Sequence, residues 1–304
     1  MIRLASAGGP EHLGHVLVAA AHAKLNLSLA ITGRRADGFH ELVSLVVPVA
    51  LADTLTLEVG RPLGLTCDDA SLPVDGTNLV LKAAAAYARR RPSAPTGHFH
   101  LSKKVPHGAG LGGGSSDAVA ALRLLNQASG APLGVEALEA LAAEVGSDCA
   151  FFVRGQSAVM RGRGERLEIL PAAARAALAG RKVVLVKPPF GVPTPEAYGL
   201  LAKAGRYRPA AQAEAELAAW IARPAADPSA LGNDLAAPVF AKYLALPVGL
   251  ASFRQTGVSE WRMTGSGSAC FAFVSDGFDQ ARLREDVRRA WGPGAWVEET
   301  AISA

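Results

Sequence analysis

Five glycines within seven residues, Gly108, Gly110, Gly112, Gly113 and Gly114, constrain this chain more than any other feature. Each costs backbone entropy on folding and brings no side chain to a core, so packing does not account for them. The full stretch, Pro106-His107-Gly108-Ala109-Gly110-Leu111-Gly112-Gly113-Gly114-Ser115-Ser116-Asp117, follows a strand-like run over Phe99–Val105 and opens a small-residue helix over Ser115–Ala128. A backbone bare of side chains lets successive N–H groups converge on an anion, and a helix N-terminus behind them adds unpaired donors and a favourable dipole. The stretch reads as a polyphosphate cradle. A P-loop is excluded because no lysine follows the glycines. Gly108-x-Gly110-x-x-Gly113 matches the dinucleotide fingerprint only literally, since the acidic residue that should end a second strand falls near Ala131–Glu136, in helical or connecting sequence. The bland alternative is a flexible structural loop. Pro106 before it and apolar Ala118, Ala121, Leu122 and Leu125 after it favour a placed loop between buried elements.

A chain of 304 residues has room for two domains of ordinary size, and with 50% hydrophobic and 19% charged residues it is expected to be folded and core-rich. The formal charge of +4 is modest; the one dense basic run, Arg89-Arg90-Arg91, has no interleaved aromatics and reads as a solvated helix end rather than a nucleic-acid surface. Cys67, Cys149 and Cys270 are widely spaced, with neither a disulfide framework nor zinc-ligand spacing, which suits a reducing compartment. No basic–apolar–cleavage-site arrangement opens the chain, His22 and Lys24 interrupt the apolar stretch that begins at Leu13, and no span approaches membrane length. A soluble cytoplasmic protein is the expectation.

Residues 1–13 mix glycine, proline and polar residues and read as an appendage. His15–Ala21 and Lys24–Ile31 read as strands; in the second, Leu25, Leu27, Leu29 and Ile31 share one face while Lys24, Asn26 and Ser28 point together away from the core. Phe39–Val49, Asp53–Val59 and Leu63–Thr66 follow as strands, and Leu79–Arg90 as a helix capped by Asn78. His98–Val105 leads into the cradle, and His98 and His100, with nothing acidic near them in sequence, read as surface residues. Leu133–Val145 is a helix ending at Gly146-Ser147-Asp148, Cys149–Val153 a buried strand, and Ala158–Met160 with Leu167–Ile169 a hairpin. Strands in a block before the helices predict an α+β domain with a mainly antiparallel sheet, and a domain change falls near Leu170–Gly180. This divides the chain into 1–170 and 171–304. The second half reads strand, helix, helix, strand, strand, helix: a two-layer domain of ferredoxin-like kind.

Pro106–Ser116 resembles the second motif of the small-molecule kinases that include galactokinase, homoserine kinase, mevalonate kinase and phosphomevalonate kinase, the GHMP superfamily. Ala23-Lys24-Leu25-Asn26-Leu27 resembles their first motif, and Met263-Thr264-Gly265-Ser266-Gly267-Ser268-Ala269-Cys270-Phe271 their third. Arg35-Ala36-Asp37-Gly38-Phe39-His40-Glu41-Leu42, Gly146-Ser147-Asp148-Cys149 and Pro193-Thr194-Pro195 are most similar to the 4-diphosphocytidyl-2-C-methyl-D-erythritol kinases of the non-mevalonate isoprenoid pathway. The resemblance implies a ribosomal-protein-S5-like N-terminal domain, a ferredoxin-like C-terminal domain and an active site in the cleft between them. It also implies ATP and Mg²⁺ as cofactors, a cytidine-diphosphate-linked polyol as substrate, a monomer or homodimer, and no nucleic-acid or membrane partner.

Carried onto this sequence, the resemblance makes Asp148 the residue that handles the acceptor hydroxyl's proton and Lys24 its companion positive charge. Read alone, Asp148 is also an ordinary helix-end aspartate bonding nearby N–H groups. Pro106, His107, Gly108, Ala109, Gly110, Leu111, Gly112, Gly113, Gly114, Ser115 and Ser116 are the expected nucleotide contacts. Ser116 is the expected metal ligand, and Asp117 an acid in the first turn of its helix. Asn26 positions the substrate, while Phe39 and Tyr198 sandwich a cytosine whose edge His40 reads. Related enzymes commonly carry tyrosine where this chain has Phe39, so stacking survives there and a hydroxyl hydrogen bond does not. Another enzyme of the superfamily, or a binding protein on the same scaffold, would share the cradle; retention of Lys24 and Asp148 opposes the latter.

Overall fold

Alternating apolar residues over Leu51–Leu57 and the i, i+3, i+4 pattern of Val80, Ala83, Ala84 and Tyr87 are the local signals from which a helix-backed sheet is built. A computed structural model describes residues 15–224, 231–253, 258, 260–275 and 277–303, so the expected N-terminal appendage lies outside the described residues. The chain forms two compact units that alternate along the sequence: Met1–Ala23, Leu51–Pro106 and Gly112–Gly155 make one, Lys24–Ala50, His107–Leu111 and Gln156–Ala304 the other.

In the first unit, the second half of a 20-residue strand, β3 (His40–Val59), pairs antiparallel with β5 (Gly97–Ser102), and β5 pairs parallel with β4 (Gly64–Cys67). The strand β1 (Val16–Asn26) also pairs with β3. Helix α1 (Leu79–Arg90) begins where the Asn78 side chain accepts from the Val80 N–H at 2.9 Å, as the sequence predicts. It packs along α2 (Gly113–Ala128), where Tyr87 donates to Asn126 Oδ1 at 2.8 Å. Helix α3 (Val135–Val145) follows, then a short helix α4 (Cys149–Arg154). The buried strand expected over Cys149–Val153 is corrected here. Cys149, Ala150, Phe151 and Phe152 are all buried, so the run is covered on every side and carries no strand alternation.

In the second unit, the first half of β3 pairs antiparallel with β2 (Ala30–Arg34) and with β6 (Ala158–Gly162), which forms the predicted hairpin with β7 (Arg166–Ile169). Phe39–Val49 and Asp53–Val59, expected as separate strands, are thus one strand. A four-stranded antiparallel sheet runs in the order β11-β8-β10-β9, made by β8 (Lys182–Lys187), β9 (Arg262–Met263), β10 (Cys270–Phe273) and β11 (Trp296–Ala301). Val183 to Val186 are wholly buried in it. Helices α5 (Ala172–Leu178), α6 (Thr194–Ala204), α7 (Ala210–Ala222), α8 (Ala236–Lys242), α9 (Ala245–Ser252) and α10 (Gln280–Trp291) complete this unit. The three cysteines are free thiols. Among the described residues, no helix is long and apolar enough to cross a membrane.

Candidate active site

The glycine loop adopts the backbone that its composition requires. Gly108, Gly110 and Gly112 have φ of 64°, 76° and 72°, in the left-handed region that side chains disfavour. Between them Ala109 and Leu111 are buried, so every second residue anchors the loop while its neighbour turns the chain. Residues 107–111 are fixed within the second unit by backbone contacts. Leu111 O accepts from the Lys24 N–H at 3.0 Å and Ala109 O from the Ala269 N–H at 3.1 Å. A Cβ on Gly110 would meet Thr264 O at 2.4 Å, and one on Gly265 would meet Gly110 O at 2.9 Å. These approaches bring the lysine strand, the second motif and the third motif together.

Lys24 and Asn26 do share a strand face, but that face is buried: Lys24, Asn26 and Ser28 are 5%, 6% and 8% exposed. The expectation that they point away from the core is corrected, because the third-motif loop and β3 cover them. The Lys24 ammonium donates to Asn26 Oδ1. Asn26 donates its N–H to Thr264 Oγ1 at 2.9 Å and its side-chain amide to Ser44 Oγ at 2.8 Å. An asparagine held from three directions sets where the lysine charge sits.

In the first unit, α2 starts without a side-chain cap behind Gly112, which leaves its first-turn N–H groups available to an anion. A Cβ on Gly113 would lie 3.4 Å from Lys103 Nζ. That ammonium donates to Asp53 Oδ2 at 2.5 Å and to Asp117 Oδ2 at 2.8 Å, and Asp53 Oδ1 also accepts the Lys104 and Val105 N–H groups at 2.6 and 2.8 Å. Asp117 therefore lies beyond the first turn, buried among charges rather than serving as a first-turn acid. Burial, with Asp53 adding to it against the pull of Lys103, pushes its carboxyl up to about 7, and its Oδ1 has no hydrogen-bond partner. Ser115 bonds the Cys149 thiol, which burial above all pushes up to about 11, with Asp148 adding to the rise. Asp148 opens α4 without capping it by its side chain, one residue from the thiol that touches the start of α2. Ser116 is buried in the same turn.

His40, at the start of β3, stacks obliquely on Tyr198 with ring centroids 4.9 Å apart and on Tyr207 at 5.9 Å, and Tyr207 Oη lies 3.5 Å from its Nε2. Burial, then the charge of Arg34, lowers its pKa. Phe39 is half exposed, with the Arg163 guanidinium 4.7 Å from its ring centroid. Tyr207 and Arg163 carry no motif of their own and join this cluster only through the fold. On the first unit's sheet, His100 Nε2 sits 3.1 Å from Glu58, so the acid missing from its sequence neighbourhood comes from the neighbouring strand.

Residues 78–156 match the family model of the GHMP kinases N terminal domain, and residues 210–293 that of the GHMP kinases C terminal. The 4-diphosphocytidyl-2-C-methyl-D-erythritol kinase of Azorhizobium caulinodans is 39% identical over 293 residues, covering 94% of this chain and 99% of that protein. The enzyme of the same description from Methylobacterium radiotolerans is 38% identical, covering 93% and 97%. A crystal structure of a 4-(cytidine 5'-diphospho)-2C-methyl-D-erythritol kinase superposes with a TM-score of 0.74 at 35% identity, over 93% of this chain and 99% of that one. Homoserine kinase from Cytophaga hutchinsonii, at 18% identity and a TM-score of 0.69 over 97% and 98% of the two chains, shares the fold. With its glycine cradle, its buried lysine and its two α/β units, the chain belongs to the 4-diphosphocytidyl-2-C-methyl-D-erythritol kinase family of GHMP kinases.

Proposed function

We propose that this protein transfers the terminal phosphoryl group of ATP to the 2-hydroxyl of 4-diphosphocytidyl-2-C-methyl-D-erythritol, giving the 2-phosphate and ADP. The observation that carries this reading is the near full-length match, 39% identity over 94% of the chain, to a kinase of that description. The cradle supports it: left-handed glycines and an uncapped helix N-terminus suit a triphosphate. In this reading Pro106 to Ser116 hold the nucleotide and Lys24 stabilises charge on the transferring group. Asp148 takes up or orients the acceptor hydroxyl's proton, and Asn26 positions the substrate. Phe39, His40 and Tyr198 form the cytosine pocket, with Tyr207 behind His40.

Mg²⁺ fits a site of this kind as a companion of the phosphates. No group of three His, Cys, Asp or Glu side chains among the described residues is arranged to hold a metal, and the buried hydroxyl of Ser116 in the helix's first turn is the donor we assign. Bound there, the ion would neutralise charge on the β- and γ-phosphates. A domain change near residue 170, as we read it, would fall between the two stretches matched by the family models, which supports it, while Lys24–Ala50 and His107–Leu111 pack with the C-terminal unit. A cytoplasmic monomer or homodimer acting on a small molecule completes the reading.

The test is a panel assay of ADP release with ATP and Mg²⁺, offering the cytidyl substrate, mevalonate, homoserine and galactose side by side. Turnover of the cytidyl compound alone is expected. Turnover of mevalonate in its place would overturn the substrate and leave the kinase fold standing.

A further inference from the structure

The turn that carries Phe39 is cross-tied by hydrogen bonds. Arg35 donates its N–H to Phe39 O at 2.7 Å, Phe39 donates its own to Asp37 Oδ1 at 3.1 Å, and the Arg35 guanidinium bonds Asp37 and Glu41 at 3.3 and 2.5 Å. The ring is thus held out, half exposed, by its own backbone. The sheet register brings a second turn to the same end of β3: β3 and β6 pair Leu42 with Gly162, so the residue after Gly162 comes opposite Glu41, within side-chain reach of Phe39. That residue is Arg163. Its N–H is taken by Glu165 Oε2 at 2.5 Å, and Gly162 and Gly164 shape the turn with φ of 71° and 113°. The guanidinium lies over one face of the phenylalanine and leaves the ring's other face uncovered by it.

The neighbouring arginines are already committed. Arg35 is paired with Asp37 and Glu41, Arg161 with Glu168 and Glu214, and Arg166 with Glu41. Arg163 differs. Among the described residues no carboxylate lies within ion-pair range of its guanidinium. A planar cation kept on an aromatic ring, unpaired and solvent-facing, has the geometry to take a phosphate through its fork of N–H donors while its flat side remains stacked.

We propose that Arg163 is a substrate-binding residue that reads the diphosphate of the cytidyl substrate, holding Phe39 from behind as the base stacks in front. The inference rests on the cytidyl-kinase reading and adds to it a charge that none of the three kinase motifs contains. It makes recognition bipartite: an aromatic ring for the base, and the arginine behind that ring for the phosphates. It predicts that Arg163 contributes more to a ligand with phosphates than to one without.

The experiment titrates cytidine, CMP and CDP by calorimetry into the parent protein and into Arg163→Ala, Arg163→Lys and Phe39→Ala, with the cradle filled by a non-hydrolysable ATP analogue. Arg163→Ala should weaken CDP by roughly 10-fold or more, as loss of a charge-assisted contact does, and cytidine by only about 2- to 5-fold through the lost cation–ring contact. The CDP effect should shrink as salt rises, and Arg163→Lys should restore part of it. In turnover, Arg163→Ala should raise KM for the cytidyl substrate while kcat and KM for ATP stay near parental values. Equal weakening of cytidine and CDP, or no change in either, would overturn the assignment. Phe39→Ala separates the two readings. If it weakens all three ligands while Arg163→Ala weakens none, the base pocket stands and the arginine's role falls. If the parent binds no cytidine ligand, both fall.

Discussion

Replacing Asp53 by alanine tests how the strand entering the cradle is held. Asp53 is wholly buried and accepts three bonds, from Lys103 Nζ and from the Lys104 and Val105 N–H groups. Lys104 is exposed and water can replace its partner, whereas Val105 is buried and would keep an orphaned donor costing about 1–3 kcal/mol. Removing one partner of a buried ion pair costs about 3–5 kcal/mol when the other charge is stranded. Here Asp117 still holds Lys103, so the lower part of that range applies. Together these amount to about 4–6 kcal/mol, a large share of the roughly 5–15 kcal/mol that keeps a domain folded. Asp53→Asn keeps an acceptor for both backbone N–H groups and should lose only about half as much. Denaturant unfolding followed by circular dichroism measures both, and calorimetry with ATP should show about a tenfold weaker cradle in the alanine variant. An alanine variant within 1 kcal/mol of the parent, or an asparagine variant as damaged as alanine, would refute the reasoning.

The other predictions address the loop, the proposed base and the buried acid. Gly110→Ala places a Cβ 2.4 Å from Thr264 O at a φ of 76°, so ATP affinity should fall at least about tenfold with native circular dichroism; unchanged affinity would separate this loop from the nucleotide. Asp148→Asn should lower kcat by roughly 10²-fold with little effect on ATP binding, and near-parental turnover would leave Asp148 a turn residue. Asp117 has its carboxyl raised to about 7 from an unfolded value near 3.9, so the native state binds that proton more tightly. Its contribution favours the fold at low pH and is lost as pH rises from about 4 through 7. The parent should therefore lose ground to Asp117→Asn between pH 5 and pH 8 in denaturant midpoint, and a difference independent of pH would contradict it.

Glycine spacing marked the cradle because left-handed backbone at Gly108, Gly110 and Gly112 is a local demand that only local sequence can meet. The same holds for α1, whose cap and apolar stripe lie within a dozen residues. What stayed hidden depends on distant partners. Cys149 to Phe152 look like a strand because a wholly buried segment has no polar face to reveal its period. Lys24 and Asn26 look exposed because their cover comes from Thr264, 238 residues beyond Asn26. Asp53, Lys103 and Asp117 form no motif, since single charges at core positions carry no periodicity until the fold joins them. Arg163 and Tyr207 reach the Phe39-His40 corner in the same way, through a hairpin register and a ring contact that no short pattern encodes.

The alternation of the two units along the chain has a consequence for how the protein is made. The first unit's last segment ends at Gly155, so all of its residues are available early in synthesis. The second also begins early, at Lys24, yet Pro48 and Val49 take partners as late in the chain as Ser303 and Ile302, through a 2.9 Å backbone bond and an antiparallel bridge. At about 5–20 residues per second, the ribosome needs on the order of 10–50 s to deliver them. Throughout that interval the apolar residues between Leu42 and Val49, all destined for burial, lack the late residues that bridge to one end of them. A nascent chain stalled before β11 should therefore be a preferred client of hydrophobic-binding chaperones, whereas one released after Ser303 should not.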